Sequence, residues 1–245
     1  MKFLLFVFLT ITTLNLNGQS SGEIVYEETM DLHRRMTGDR EQFKEFVPQF
    51  RSSKMVLLFD DHEALYRAEE GDDEEVDAEH EGGRMRMRFM RAAAGTVWLN
   101  YVDGLRVEER DFMDKKFLIR GEPESYPWKL SGESMQVGQY LCQKATFEDS
   151  NRQVVAWFTP MVPVPLGPGE FGKLPGLILH IDINDGERTI TAQEINLKEI
   201  DSGLIVEPKK GKEVTQEEFH EIVREKMKEM REENGGRGFR MIRHD

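Results

Sequence analysis

Short runs in which apolar and polar residues alternate follow one another from residue 24 to residue 206, and turn residues separate them. Alternation with a period of two is typical of β-strands that bury one face. Asp103-Gly104 and Asp185-Gly186 each lie between two such runs, which is a strong hairpin signal. The sequential order predicts a mainly β fold with minor α, an antiparallel meander curved into a partial or closed barrel. The predicted strands cover residues 24–29, 54–59, 64–68, 96–101, 105–110, 116–119, 137–147, 153–158, 177–183, 188–197 and 204–206.

The chain also carries two helix signals. A capping-box pattern from Asp39 to Gln42, followed by Pro48, predicts a short helix in the N-terminal half. Thr215 and Glu218 form a second capping box near the C-terminus. We predict an amphipathic helix there that packs on the β domain or plugs the mouth of its barrel; a helix that docks a partner protein is the alternative. Its hydrophobic staple is Val214 with Phe219, and its apolar stripe is Phe219, Ile222, Val223, Met227 and Met230.

A proline-rich segment separates the run that ends at Phe158 from the run that starts at Leu177. Proline fixes φ and removes a backbone donor, so this segment is neither helix nor central strand. We predict a stiff loop that closes one end of the sheet like a lid; a loop that frames a ligand pocket or docks a partner is the alternative. Its prolines are Pro160, Pro163, Pro165, Pro168 and Pro175, and its glycines are Gly167, Gly169, Gly172 and Gly176.

The end of this loop, Lys173 to Ile178 (KLPGLI), resembles the signature of the GLPGLI family of exported bacterial proteins. Residues 128–130 (WKL), 138–145 (GQYLCQKA) and 155–160 (VAWFTP) resemble the family segments that precede the motif, in the same order. The first glycine of the motif is Lys173 here, and we expect the neighbouring Gly172 to supply any positive φ. The resemblance implies a strand-rich, cupped architecture similar to periplasmic lipoprotein carriers, and the family has no known activity.

The first residues of the chain predict export. Lys2 precedes an apolar run from Phe3 that continues, with threonines, to Leu16, and small polar residues follow. This pattern is typical of a secretory signal peptide, here residues 1–18 with Gln19 as the mature N-terminus. We therefore expect the protein in the periplasm, at the outer-membrane face or secreted, and we expect no transmembrane span, because no later stretch is long and apolar enough.

The remaining chain is long enough for one domain with a substantial core, and no linker divides it. We predict a β domain over residues 19–212, a C-terminal amphipathic helix over 213–236 and a disordered tail over 237–245. The single cysteine, Cys142, excludes a disulfide within one chain. Its place in an alternating run predicts a buried, unreactive thiol.

The net charge of −13 argues against nucleic acid or an anionic membrane surface as partner. Much of the excess lies in residues 69–83, which hold nine acids and no Lys or Arg. We predict a mobile acidic loop there, inserted into the β domain. From Arg84 to Phe89 arginines alternate with apolar residues, which predicts a half-buried strand.

Metal and enzyme chemistry find weak support in the sequence. His80, Met85, Met87 and Met90 offer soft ligands for copper, and the acidic loop offers oxygens for calcium, but the spacing matches no calcium loop. Motifs of metalloproteases, serine hydrolases and phosphate loops are absent from the sequence. We therefore predict no catalytic residues and no cofactor, and metal handling is kept as a minor alternative.

These observations favour an exported, non-catalytic binding or carrier module for a lipid or another amphiphile. The alternative is an accessory interaction protein for an outer-membrane transporter or secretion system. Trp98 and Trp128 are further candidates to line a cavity, although large aromatic residues on strands are often simply core. The candidate ligand- or partner-binding residues are Trp157, Phe158, Pro160, Pro163, Pro165, Gly167, Pro168, Leu174, Pro175 and Gly176.

Overall fold

The computed structural model describes residues 20–69, 77–80, 83–86, 95–150 and 152–233. These residues form fourteen strands, one α-helix and three 3-10 helices. The strands are β1 (Gly22–Asp31), β2 (Phe50–Phe59), β3 (Glu63–Ala68), β4 (Asp77–His80), β5 (Gly83–Arg86), β6 (Thr96–Asn100), β7 (Leu105–Phe112), β8 (Lys115–Gly121), β9 (Lys129–Val137), β10 (Tyr140–Glu148), β11 (Gln153–Thr159), β12 (Leu177–Ile183), β13 (Arg188–Asn196) and β14 (Lys212–Val214). The helices are α1 (Gln216–Glu233) and the 3-10 helices His33–Arg35, Gly38–Phe46 and Ser202–Leu204.

Twelve of the strands form one sheet in the order β14-β8-β7-β6-β3-β2-β1-β13-β12-β11-β10-β9. Eleven of these strands form two antiparallel meanders, β1-β2-β3-β6-β7-β8 and β9 to β13, joined where β1 pairs with β13, and β14 pairs in parallel with β8. Strands β4 and β5 form a separate two-stranded sheet. The twelve-stranded sheet does not close on itself, since β9 and β14 are its two edges. The predicted mainly β fold is confirmed, and it is a partial barrel rather than a closed one.

Both predicted Asp-Gly hairpins are confirmed, because β6 pairs with β7 and β12 with β13. The strand expected over 137–147 corresponds to β10, but it begins only at Tyr140, because the chain turns at Gly138, with φ of 56°, between β9 and β10. Strand β9 was missed because it is an exposed edge with few apolar positions. The strand expected at 204–206 is wrong, since the third 3-10 helix overlaps it, and the short parallel edge strand β14 was not predicted.

The sheet buries side chains on both faces. The inner face carries the main core, which includes Tyr26, Leu57 and Phe158 and extends into the proline-rich loop. The outer face carries a smaller core around Trp98 and Leu118, which Ile200 and Ile205 cover, together with Val25, Val56, Leu58, Leu65 and Val107. The segment after β13 therefore seals the outer face, and the open space lies on the inner face.

Helix α1 begins with the predicted capping box. The Glu218 amide donates to the Thr215 hydroxyl at 3.2 Å, and the Thr215 amide donates to the Glu218 carboxylate at 2.7 Å. Val214 and Phe219 are buried against Phe117 and Ile119 on the inner face of β8. The predicted packing of the helix on the domain is confirmed for its first turns, whereas Met227 farther along the predicted stripe is exposed.

The other local predictions need two corrections. The short helix in the N-terminal half is a 3-10 helix that begins at Gly38, and its N-cap Thr37 makes no side-chain capping bond. The acidic segment is not loop throughout, because β4 pairs with β5 and sets Asp77 opposite Arg86 and Glu79 opposite Arg84. Residues 1–18 and 237–245 lie outside the described residues.

Candidate functional site

The proline-rich loop between β11 and β12 lies against the inner face of the sheet. Its first half is extended, so that Val162, Val164 and Leu166 are buried while Pro163 and Pro165 face solvent. The loop is anchored by backbone bonds to β12: the Leu177 and Ile178 amides donate to carbonyl oxygens of Val162 and Leu166, each at 2.9 Å. The segment is neither helix nor strand, as predicted, and its alternate side chains are buried against the sheet.

The second half of the loop turns sharply at residues 172–176. Lys173 itself has φ of 62°, so the expectation that Gly172 would supply the positive φ is wrong. Gly172 is required for space instead, because a Cβ there would lie 2.9 Å from the Pro165 carbonyl oxygen. Gly176 is more restricted still, since its Cβ would lie 2.2 Å from the Thr159 carbonyl oxygen.

A crossover segment, residues 122–128, links β8 at one end of the sheet to β9 at the other. It is tied to the proline-rich loop at two points: the Trp128 indole donates to the Gly172 carbonyl at 3.0 Å, and the Lys173 ammonium donates to the Pro123 carbonyl at 2.8 Å. Together the loop and the crossover segment cover part of the inner face.

Between these covers and the strands lies a cavity of about 340 Å³, which we call the outer cavity. Its walls come from β2, β3, β6 and β7, the crossover segment and residues 165–173 of the loop. The apolar part of its lining is Leu57, Ala64, Val97, Leu99, Leu166 and Phe171. Its exposed rim carries Lys173 and three acids, Asp103, Glu122 and Glu124. Two of its polar lining residues, Tyr66 and Arg106, are buried.

A smaller space of about 80 Å³, the inner cavity, shares Tyr66 and Arg106 with the outer cavity. Three arginines line it, Arg106, Arg110 and Arg188, together with Glu108 and Glu170. Glu108, only 1% exposed, contacts both Arg106 and Arg110.

The other ion pairs of this region are well formed. Arg188 donates to both oxygens of the buried Glu28 carboxylate, at 2.8 and 3.0 Å. Burial acts to lower the pKa of Arg188, but the Glu28 carboxylate outweighs it and the pKa is raised. Arg152 pairs with Glu170 at 2.5 Å. Burial, and then the Glu28 charge, hold the pKa of Tyr66 well above its usual value, so its phenol stays protonated.

Sequence reasoning did not find this charged lining. Arg106, Glu108 and Arg110 alternate with Leu105 and Val107, which suggests that the charges face solvent. In the structure these charged residues face the inner cavity instead of solvent. Val107, which points to the other face of the sheet, packs in the outer core. A strand with charges at every second position has two possible orientations, and only the neighbouring strands decide between them.

The candidate residues predicted from the sequence are divided among several places. Pro165 and Gly167 line the outer cavity and Pro168 the inner one. Phe158 and Leu174 are buried core, and Trp157 is half-buried beside Lys144, whose ammonium lies 5.9 Å from the centre of the indole ring. Pro160, Pro163 and Pro175 are exposed, and Gly176 is buried. Trp98 packs in the outer core, and Trp128 belongs to the crossover segment.

The described residues give no site for a metal: they contain no group of three or more His, Cys, Asp or Glu residues placed to hold one. His80 and Met85 are described only as backbone positions in β4 and β5, and Met87 and Met90 lie outside the described residues. Cys142 is buried, as predicted, and burial raises the pKa of its thiol to about 11. Within the described part of the chain, no helix is both long and apolar enough to cross a bilayer.

Comparison with known proteins gives a short family match and a likeness of fold. Residues 148–180, which include the proline-rich loop, match a family described as "Protein of unknown function (Porph_ging)". No curated protein matches the chain. Two crystal structures of PNGF-II, in space groups C2 and P21, are similar at 13% identity, with TM-scores of 0.54 and 0.55. Both alignments cover 83% of this chain but only 32% and 33% of PNGF-II, so the chain spans about a third of that protein. At this identity the likeness concerns the fold alone.

Proposed function

We propose that this protein is a non-catalytic binding module that holds a small amphiphilic molecule in the outer cavity. The single observation that carries the proposal is the cavity of about 340 Å³ between the proline-rich loop and the inner face of the sheet. A volume of this size lies at the lower end of the range for small-molecule sites, about 300 to 1,000 Å³. It suits a ligand with one short apolar portion better than a lipid with two long chains.

The chemistry of the lining supports an amphiphile. Leu57, Val97, Leu99 and Leu166 provide an apolar surface, while Tyr66 and Arg106 lie buried at the inner end. Transfer of an apolar group from water to such a surface is favourable by about 25 cal/mol per Å². The cover is built to hold its shape, because the loop and the crossover segment bond to each other and to the sheet. A preformed pocket avoids the entropy cost of ordering a loop on binding.

Export and membership of the GLPGLI family belong to the same proposal. The signal-peptide pattern of residues 1–18 supports a location in the periplasm, at the outer-membrane face or outside the cell. The positive φ of Lys173 supports the resemblance, because this residue occupies the position of the first glycine of the motif, where a left-handed backbone favours glycine.

Native mass spectrometry of protein purified from a periplasm, after expression of the full chain and without detergent, tests the proposal. We expect a stoichiometric organic adduct, or uptake of added octanoate or 1-octanol. Leu99→Trp should abolish this binding by filling the cavity, whereas Leu130→Trp, at an exposed position on β9, should leave it unchanged. A protein without adduct that takes up neither probe would overturn the proposal.

A further inference from the structure

Three hydrogen-bond donors at the inner cavity have no acceptor among the described residues: the Tyr66 hydroxyl and the Nε groups of Arg106 and Arg110. Tyr66 is 2% exposed and Arg106 is 9% exposed, so bulk water does not readily satisfy them. Leaving a buried donor unpaired is unfavourable. The guanidinium Nε groups can only donate, so the missing partner must be an acceptor.

The charges around these donors are unequal. Arg106 and Arg110 share the one carboxylate of Glu108, whereas Arg188 has Glu28 and Arg152 has Glu170. The network of four arginines and three glutamates therefore keeps one positive charge without a partner among the described residues. The Arg110 side chain is 32% exposed, but Arg106 is buried and has only a share of the Glu108 carboxylate. A buried charge with an incomplete counter-charge is unfavourable, so a single negative charge is the complement of this site.

The two cavities are adjacent and share six lining residues. Tyr66 and Arg106 line both, so a ligand in the outer cavity can extend its head group to the inner one. The inner cavity, about 80 Å³, has room for a group the size of a carboxylate. The exposed acids of the rim are hydrated and screened by salt, and their effect on an anion is weak compared with that of the buried arginines.

We propose that the ligand is a monoanionic amphiphile, an organic carboxylate with a short apolar body, whose carboxylate accepts hydrogen bonds from the Tyr66 hydroxyl and the Arg106 Nε in the inner cavity. This inference rests on the proposed function, because it names the class of molecule that the outer cavity holds. Hydrogen bonds to a charged partner are the strong ones, and arginine suits a carboxylate particularly well.

Isothermal titration calorimetry of the protein with octanoate and with 1-octanol tests this assignment, since both probes have an eight-carbon chain and only octanoate is charged. We expect octanoate to bind at least about tenfold more tightly than 1-octanol, as charge-assisted hydrogen bonds are lost with the alcohol. Tyr66→Phe, which removes one oxygen, should weaken octanoate about tenfold or more and change 1-octanol by less than about twofold. Arg106→Gln should remove the preference for octanoate altogether.

Two matched controls separate this site from general effects. Tyr140→Phe removes a hydroxyl from a buried tyrosine away from the cavities, and Arg120→Gln removes an arginine charge whose partners, Glu207 and Glu213, lie elsewhere. Neither should alter the preference. Equal binding of the two probes, as expected if the inner cavity holds only water, would overturn this inference and leave the binding module intact. Binding of neither probe would overturn both.

Discussion

The inner face of the sheet has two halves that differ in chemistry. On one half, formed by β1, β2 and β10 to β13, the proline-rich loop completes an apolar core in which side chains such as Phe158 and Leu174 are nearly fully buried. On the other half, β7 presents Arg106, Glu108 and Arg110 towards the two cavities. The first half is arranged for stability. The second half contains buried charges and three donors without an acceptor among the described residues, and such an arrangement lowers stability.

Removal of a large side chain from the apolar half should have the largest effect. Phe158→Ala is expected to lower the free energy of unfolding by about 3 to 5 kcal/mol, because it leaves a cavity in the main core. Urea denaturation measures the change. Phe50→Ala, at a position 56% exposed, is the control and should change stability by less than about 0.5 kcal/mol. Similar effects of the two substitutions would contradict the assignment of the core.

In the charged half, Glu108→Gln should lower the free energy of unfolding by about 3 kcal/mol, since it leaves two arginines without their shared carboxylate. The same denaturation experiment measures it. Glu133→Gln, which affects an exposed ion pair with Lys144, should cost less than about 1 kcal/mol.

A triple variant, Arg106→Met with Glu108→Leu and Arg110→Met, makes the charged half resemble the apolar one. Replacing a buried ion network by apolar residues of similar size is often neutral or stabilising by about 1 to 4 kcal/mol. We therefore expect the triple variant to be at least as stable as the native protein while the preference for octanoate is lost. A triple variant as unstable as Glu108→Gln would show that the charges support the fold rather than binding.

A substitution at the turn of the proline-rich loop should have a smaller effect on the free energy of unfolding, and of opposite sign. Relative to Lys173→Ala, Lys173→Gly should raise the free energy of unfolding by about 0.5 to 1 kcal/mol, because both variants lose the bond to the Pro123 carbonyl and only glycine relieves the left-handed backbone. Lys173→Ala keeps the strained φ and loses the bond to the Pro123 carbonyl, so it should give no gain. Thermal denaturation of the three proteins compares them, and a gain with alanine would refute the explanation.

The smallest effect concerns pH. Burial raises the pKa of the Cys142 thiol from 9.0 to about 11, so above pH 9 the unfolded chain loses this proton more readily than the folded one. The contribution of the thiol to stability is therefore present below pH 9 and is lost as the pH rises towards 11. The stability difference between the native protein and Cys142→Ala should shrink over this window, and other titrating groups cancel in the comparison. A difference independent of pH would contradict a buried, protonated thiol.

Much of the fold was predictable because patterns of a few neighbouring residues specify its strands, hairpins and helix start. Alternation located most strands, the two Asp-Gly turns fixed their hairpins, and Thr215 with Glu218 marked the start of α1. The two strands of the large sheet that the sequence did not predict lie at its edges. Strands β9 and β14 have few buried positions, so their sequences lack the hydrophobic alternation that predicts a strand.

By itself the sequence determined the β class, the stiff proline-rich loop and the capped helix, since proline geometry, hairpin turns and capping boxes act within a few residues. Only the tertiary structure decided where the site is. The cavities are built from residues far apart in the chain, such as Tyr66, Arg106 and Phe171. Whether Arg106 and Glu108 face solvent or the interior depends on the pairing of β7 with β6 and β8, and on a loop more than fifty residues away that covers them.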